Sequence, residues 1–168
     1  MKPMPRIGAL ALLALLLSSP VLSAGDSREL IGTTIPPLPA GWRKDGGMCI
    51  ASSLGVEQVC AFSLGTLWKG NQRWLYIGRA VAGPQADKPQ WQVSDQMASP
   101  PAPKGYQVVI VPCQRDGQVA ETTVAVVQAT SKEWYTRVRV AYRANLTTGR
   151  FESIPVQGLR CVNEGAGL

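Results

Sequence analysis

The residues best suited to chemistry are the basic side chains between positions 131 and 161. This segment holds six cations against two acidic residues, a balance of +4 that equals the net charge of residues 25–168. The cations are Lys132, Arg137, Arg139, Arg143, Arg150 and Arg160. A guanidinium group donates paired hydrogen bonds to carboxylates and phosphates. Three aromatic residues, Trp134, Tyr135 and Tyr142, are interleaved with these cations. The pattern predicts a site for an anionic partner.

A charge run of this kind is also typical of a solvated surface whose arginine stems cover the core, and this interpretation stays open. Under the binding interpretation the candidate residues are Arg137, Arg139, Arg143, Arg150 and Trp91. Trp91 is included because it lies in a proline-rich stretch, residues 83–105, that predicts a long surface loop pinned by Trp91, with room for one short strand. Long loops in compact domains are often functional, but the favoured interpretation here is an ordered segment that covers one edge of a sheet.

Composition excludes the catalytic and metal-binding chemistry that depends on histidine. The chain has no histidine, so Ser-His-Asp and Cys-His catalysis and His-ligated zinc are impossible. Its eleven acidic residues form no recognisable carboxylate pair, although a glycosidase pair can be distant in sequence. Asp45 and Asp116 each precede glycine and are predicted to be turn residues. No phosphate-binding or dinucleotide-binding motif occurs, so we expect no cofactor, no metal and no ordinary enzymatic activity.

The N-terminus has the three-part layout of a secretory signal. Lys2 and Arg6 precede an apolar run, and small residues follow it up to Ala24. The run is about half of the ~20 residues that span a bilayer, and no later stretch is apolar enough to do so. We therefore expect a signal peptide over residues 1–24 and a single exported domain over 25–168. Its location would be the periplasm in a Gram-negative organism, or outside the cell.

The four cysteines predict two disulfides, because an even number in an exported chain favours pairing over metal binding. Three pairings are possible. We favour Cys49–Cys60 and Cys113–Cys161, since each joins segments with the pattern of neighbouring strands. No CxxC spacing occurs, which disfavours a catalytic dithiol or a four-cysteine metal site.

Apolar alternation predicts strands along most of the remaining chain. Residues 73–81 carry large apolar groups on both faces, which predicts a central strand. Asp116 and Gly117 predict the turn of a tight hairpin. The predicted elements are a hairpin within 48–63, a strand at 73–81, hairpin strands at 106–113 and 118–128, and a last strand at 151–161. The tail from residue 162 onward is small and polar and is expected to fray.

Residues 130–144 fit two structures. Thr130 and Glu133 form a capping box, and helical spacing would place Trp134, Val138 and Tyr142 on one face. The same apolar residues also alternate with arginines as they would in a strand. The capping box favours a helix over 130–144. The expected fold is therefore α+β but mostly β: one domain with an antiparallel sheet, one helix and two disulfides.

Three functional hypotheses follow. The first is an exported, non-enzymatic binding module, of the inhibitor or immunity type, that acts on another envelope or secreted protein. The alternative is a module that binds an anionic lipid or glycan through the basic patch. The third is a histidine-free hydrolase that uses carboxylates. Nucleic acid is not an expected partner, because export separates the protein from it and no nucleic-acid-binding motif is present.

Overall fold

A computed structural model of the protein describes residues 28–50, 60–81 and 89–167, which form eleven strands and no helix. The strands are β1 Thr34–Ile35, β2 Trp42–Ile50, β3 Phe62–Lys69, β4 Gln72–Ala80, β5 Trp91–Ala98, β6 Tyr106–Arg115, β7 Gln118–Gln128, β8 Trp134–Tyr135, β9 Val138–Asn145, β10 Arg150–Ser153 and β11 Leu159–Val162. The predicted signal peptide and the tip of the predicted 48–63 hairpin lie outside the described residues.

The strands form two antiparallel sheets. The first sheet has five strands in the order β1-β5-β4-β3-β2, and the second has six in the order β10-β9-β7-β6-β11-β8. The β6–β7 hairpin turns at Asp116 and Gly117, with φ of 51° and 78°. A tight hairpin turn requires such positive φ values. The predictions of a mostly β fold with antiparallel pairing and of this hairpin are confirmed.

The two sheets pack on each other through a shared apolar cluster. Leu64, Leu75 and Ile77 of the first sheet contact Val124 and Ala144 of the second. All five are at most 1% exposed. Full burial of a large aliphatic side chain contributes roughly 1.5–3 kcal/mol, so this cluster is the main attachment between the sheets.

On each sheet, the face that points away from the other sheet is also apolar, and other parts of the chain pack against it. Residues 28–42 place Leu30, Ile35 and Trp42 against the far face of the first sheet. On the second sheet, Ile154 and Val156 pack against the cluster that contains the Cys113–Cys161 pair. Both faces of β4 are therefore buried, as its sequence predicts for a central strand.

The helix expected over 130–144 is not present, because this segment forms β8 and β9. β9 lies between β7 and β10, which places Ala141 in one apolar cluster and Tyr142 and Ala144 in another. A strand buries side chains on both faces here, and a helix would bury only one. The apparent capping residue Thr130 instead accepts a hydrogen bond from Lys132 N at 3.2 Å, within a local turn.

The stretch 83–105 is not a continuous surface loop, since eight of its residues form β5 between β1 and β4. The register shifts between Ile77 and Gly78, so Ser94 is an extra residue in β5. This bulge puts Val93 and Gln96 on the same buried side although they are three residues apart. Simple alternation therefore does not reveal the strand. The predicted last strand at 151–161 is likewise divided into β10 and β11 around Pro155.

Both predicted disulfides are present, Cys49–Cys60 at a separation of 11 residues and Cys113–Cys161 at 48. Cys113 and Cys161 are direct register partners on β6 and β11. On the loop-entropy model each bond stabilises the fold by roughly 3–4 kcal/mol. Two disulfides are typical of proteins from oxidising compartments. The described segments contain no helix long and apolar enough to cross a membrane.

Asp45 lies in β2 and is not the turn residue that its sequence predicts. It occupies the irregularity between Lys44 and Gly46, and its Oδ2 accepts a hydrogen bond from Arg73 Nε at 2.7 Å. Hydrogen bonds from the side chains of Trp68 and Thr66, together with the Arg73 guanidinium, hold the pKa of this carboxyl below its usual value. The ionised carboxylate therefore joins three strands of the first sheet.

We predict that Asp45→Asn lowers the free energy of unfolding at neutral pH by about 0.5–1 kcal/mol, because a charged acceptor of several hydrogen bonds is lost at a solvent-exposed site. A lowered native pKa stabilises the fold above the ordinary aspartate pKa, and this stabilisation is lost as pH falls through the native value. The difference in the free energy of unfolding between the wild type and Asp45→Asn should therefore become smaller at acidic pH. Denaturant unfolding of both proteins at about pH 7 and about pH 2.5 measures this difference. Asp116→Asn, in the exposed hairpin turn, is the control, and a pH-independent Asp45→Asn difference would contradict the assignment.

Candidate anion-binding cleft

A cleft of about 260 Å³ opens where β7 ends and β9 begins. It is lined mainly by polar side chains, with one aromatic wall. The lining residues are Gln128, Ala129, Thr130, Lys132, Trp134, Thr136 and Arg137. Two of the cations predicted from sequence therefore meet at one concave surface, together with hydroxyl and amide groups that can form hydrogen bonds.

Lys132 and Arg137 make no ion pair among the described residues. The ion pairs found there are Lys69–Glu29, Arg73–Asp45 and Arg143–Glu152. Arg137 Nη1 donates instead to the neutral Gln128 Oε1 at 3.2 Å. Among the described residues, no carboxylate therefore lies within ion-pair distance of these two cations, although Glu133 follows Lys132 directly in the chain. Unpaired cations on a concave surface favour the binding of an anion.

Backbone pairing brings the two sides of the cleft together. Gln128 N donates to Arg137 O at 2.9 Å, which continues the β7–β9 pairing beyond the last ladder residues. Arg139, two residues further along, places its guanidinium 6.0 Å from the centre of the Tyr106 ring. A third cation therefore lies at this end of the second sheet, although it does not line the cleft.

The side chain of Asn163 fixes the turn that carries Lys132. Its Nδ2 donates to Thr130 O at 2.9 Å and to Lys132 O at 2.8 Å, while its Oδ1 accepts from Tyr135 Oη at 2.7 Å. Its backbone N donates to Glu133 O at 2.8 Å. Asn163 is 7% exposed, so these bonds satisfy a buried amide. The C-terminal tail, expected to fray, is thus attached to the wall of the cleft.

Trp134 forms the aromatic wall and is held by the neighbouring strand. It is the register partner of Val162 on β11, and the Arg160 guanidinium lies 4.7 Å from the centre of its ring. With the Gln114 amide oxygen facing Arg160, that oxygen accepts hydrogen bonds from Nε at 2.9 Å and Nη2 at 3.0 Å. These contacts restrict the orientation of the Trp134 indole. An exposed cation–π pair contributes about 0.5–1 kcal/mol to the stability of such an arrangement.

The structure divides the predicted basic patch. Arg143 donates to Glu152 Oε2 from Nε at 2.9 Å and from Nη2 at 2.7 Å, and this hydrogen bonding is the main cause of the lowered pKa of Glu152. Arg150 is exposed on β10 opposite Asn145, beyond the end of β9 farthest from the cleft. Of the four candidate arginines, only Arg137 lines the cleft, with Arg139 nearby.

Trp91 lies on the first sheet and does not line the cleft. Its indole Nε1 donates to Cys60 O at 3.2 Å, and it packs beside Gly78. Since a Cβ at Gly78 would lie 2.8 Å from Trp91 Cβ, the glycine makes room for the tryptophan. Trp91 thus holds the disulfide-linked start of β3 in place.

Four carboxylates of the described residues have structural partners. The Lys69 hydrogen bond lowers the pKa of Glu29, while Asp45 and Glu152 bind arginines. Asp95 accepts from the backbone N of Gln96 at 2.9 Å and of Phe151 at 2.8 Å, which connects the two sheets. Within the described segments, no group of three or more metal-ligating side chains could hold a metal ion.

No protein-family model matches the chain, and no match was found among curated proteins or solved structures. The inference of function therefore depends on the geometry of the site.

We predict that Asn163→Ala lowers the free energy of unfolding by about 1–3 kcal/mol, because it leaves buried polar partners unsatisfied. The amide of Gly165, which donates to Asn163 Oδ1 at 3.1 Å, should also lose protection. Hydrogen exchange at Gly165 and denaturant unfolding measure the two effects. Glu164→Ala, at the exposed neighbouring residue, is the matched control. Unchanged exchange at Gly165 would show that Asn163 does not hold the tail.

Proposed function

We propose that this protein is an exported, non-enzymatic binding module that recognises an anionic group of an envelope or secreted partner in the Lys132–Arg137 cleft. The observation that carries the proposal is the pair of cations without ion-pair partners beside a polar concavity. Export is supported by the signal-like N-terminus and by the two disulfides.

The two cations can bind one anion in complementary ways. The Arg137 guanidinium offers a planar pair of donors, and the Lys132 ammonium is a compact charge on a flexible stem. An oxyanion between them would gain charge-assisted hydrogen bonds from both sides. Because the cleft is open to solvent, salt should weaken this attraction.

Two kinds of partner present such a group. An acidic side chain on another exported protein would make the module an inhibitor or immunity-type protein. An anionic glycan or lipid headgroup is the alternative, and the threonine and glutamine groups of the cleft favour it, since they match polar ligands. A carboxylate-dependent hydrolase receives no support from Glu29, Asp45, Asp95 or Glu152, whose carboxylates already have partners.

We predict that Arg137→Glu reduces retention of the partner by about tenfold or more, because it removes one charged donor and repels the anion. The assay is quantitative affinity capture from envelope and culture extracts, with the oxidised protein as bait at low and high salt. A protein partner and a glycan or lipid are distinguished by the chemistry of the retained material.

Arg150→Glu is the matched control, since it makes the same charge change at an exposed residue outside the cleft. It should retain the partner nearly as well as the wild type. Equal losses in the two variants would indicate general charge attraction, and an unchanged Arg137→Glu variant would remove the cleft as the binding site.

A further inference from the structure

We infer that residues 99–104, Ser-Pro-Pro-Ala-Pro-Lys, are a docking segment for another exported protein, which binds these prolines in an aromatic groove with an acidic rim. The inference deepens the proposed function, on which it rests for the role of the cleft, because it makes the partner a protein. It comes from a different part of the chain, here called the proline segment, so the two proposals can fail separately.

The proline segment is an exposed connection between the two sheets. β5 of the first sheet ends at Ala98, and β6 of the second sheet begins at Tyr106. Residues 101–105 are all exposed. Proline fixes its own φ at about −65° and keeps the residue before it extended. Because residues 99–103 contain three prolines, their stereochemistry favours the polyproline II conformation.

Backbone hydrogen bonds attach the proline segment at both ends. Ser99 N donates to the carbonyl of Arg73 on β4 at 2.9 Å. At the other end, Tyr106 N donates to Pro103 O at 2.9 Å and closes a turn, in which Gly105 has a φ of 80°. A chain that is already extended and anchored loses little conformational freedom when it binds, which favours affinity.

The prolines favour an aromatic groove over the edge of a β-sheet as the binding surface. Proline has no N–H, so this stretch cannot join a sheet as a regular strand. Within the described segments, the carbonyls of Pro100, Pro101 and Ala102 accept no backbone hydrogen bond, which leaves them to a partner. Three residues per turn would place Pro100 and Pro103 on the same edge, and aromatic-lined grooves recognise this spacing.

The proline segment ends beside the Lys132–Arg137 cleft. Ala129 N donates to Gly105 O at 2.9 Å, and Ala129 lines the cleft. The next residue, Tyr106, is the register partner of Gln128, which also lines the cleft. A protein that holds the prolines can therefore reach the cleft with a side chain from the rim of its groove.

The charge at this end of the second sheet favours an acidic partner. Four exposed cations lie there: Lys104, Lys132, Arg137 and Arg139. None of the four belongs to an ion pair among the described residues, although Glu133 follows Lys132 in the chain. Complementary charge across an interface speeds association and gives specificity. We therefore expect carboxylates on the rim of the groove, one of which would be the anion in the cleft.

The proline segment is what makes a protein the favoured partner. The polar lining of the cleft alone also suits an anionic glycan or a lipid headgroup. Extended proline-rich chains are bound by proteins, whose aromatic side chains pack on the proline rings. A glycan or a lipid headgroup would leave this exposed segment unused.

The test is affinity capture from envelope and culture extracts on the full oxidised protein, followed by competition with a synthetic peptide of residues 97–106. We expect an excess of the peptide to release the retained protein, and the same peptide with alanine in place of Pro100 and Pro103 to release about fivefold less. The double variant Pro100→Ala/Pro103→Ala should retain about fivefold less of that protein or lower. Pro112→Ala/Pro155→Ala makes the same change at two exposed prolines outside the segment and should retain it as the wild type does.

Photo-crosslinking then identifies the surface that contacts the prolines. Ala102→benzoylphenylalanine should crosslink to partner peptides that contain aromatic and acidic residues. The same substitution at Val119, which is 75% exposed at the opposite end of β7 from Gln128, is the control and should give no such crosslink. Equal crosslinking from the two positions, or crosslinks to peptides without aromatic residues, would contradict the aromatic groove.

The competition uses the unaltered protein, so a folding defect in the double variant does not decide the result. Retention that depends on Arg137 but not on the two prolines would overturn the docking segment and leave the proposed function standing. Retention that depends on the prolines but not on Arg137 would support the segment and remove the cleft as the binding site. A retained glycan or lipid, with no protein that the peptide releases, would overturn the segment. If no retained material depends on either, both proposals fail.

Discussion

The insertion of β11 between β6 and β8 is the constraint on which the shape of the cleft depends. β11 is only four residues long, yet its Cys161 is bonded to Cys113 of β6 and it pairs with β8 on its other side. Asn163 follows two residues later and holds the carbonyls of Thr130 and Lys132. The disulfide and the buried Asn163 amide thus hold the turn that carries Lys132 against the sheet. The turn needs these contacts because the neighbouring strand, β8, is only two residues long.

The basic residues fall into two groups, those that pair with carboxylates within the fold and those that do not. Arg73 and Arg143 bind carboxylates that connect neighbouring strands, and the hydrogen bonds they donate contribute to keeping those carboxyls ionised. Lys132 and Arg137 lack such partners among the described residues and face a concave polar surface. An unpaired, exposed cation contributes little to the stability of a fold, so Lys132 and Arg137 are the cations on which the proposed anion site depends.

Local patterns predicted much of this fold, while features that depend on distant contacts were not predictable. The Asp-Gly hairpin follows from neighbouring residues, and the two disulfides were predicted from the number of cysteines and the strand patterns around them. β5 was hidden because a bulge disrupts its alternation, and residues 130–144 gave a helix signal that pairing with β7 and β10 overrides. Arg137 was predicted as a site residue. Asn163 was missed, because its partners lie about thirty residues earlier and a polar tail carries no pattern that indicates them.

The central claim is that the Lys132–Arg137 cleft binds an anion, and the most direct measurement is a phosphate titration of the ¹⁵N-labelled oxidised protein followed by NMR. The account predicts saturable shifts concentrated in residues 128–137 and at Asn163, with smaller shifts at Arg143 and Arg150. Shifts that scatter over all exposed cations, or none at residues 128–137, would contradict it.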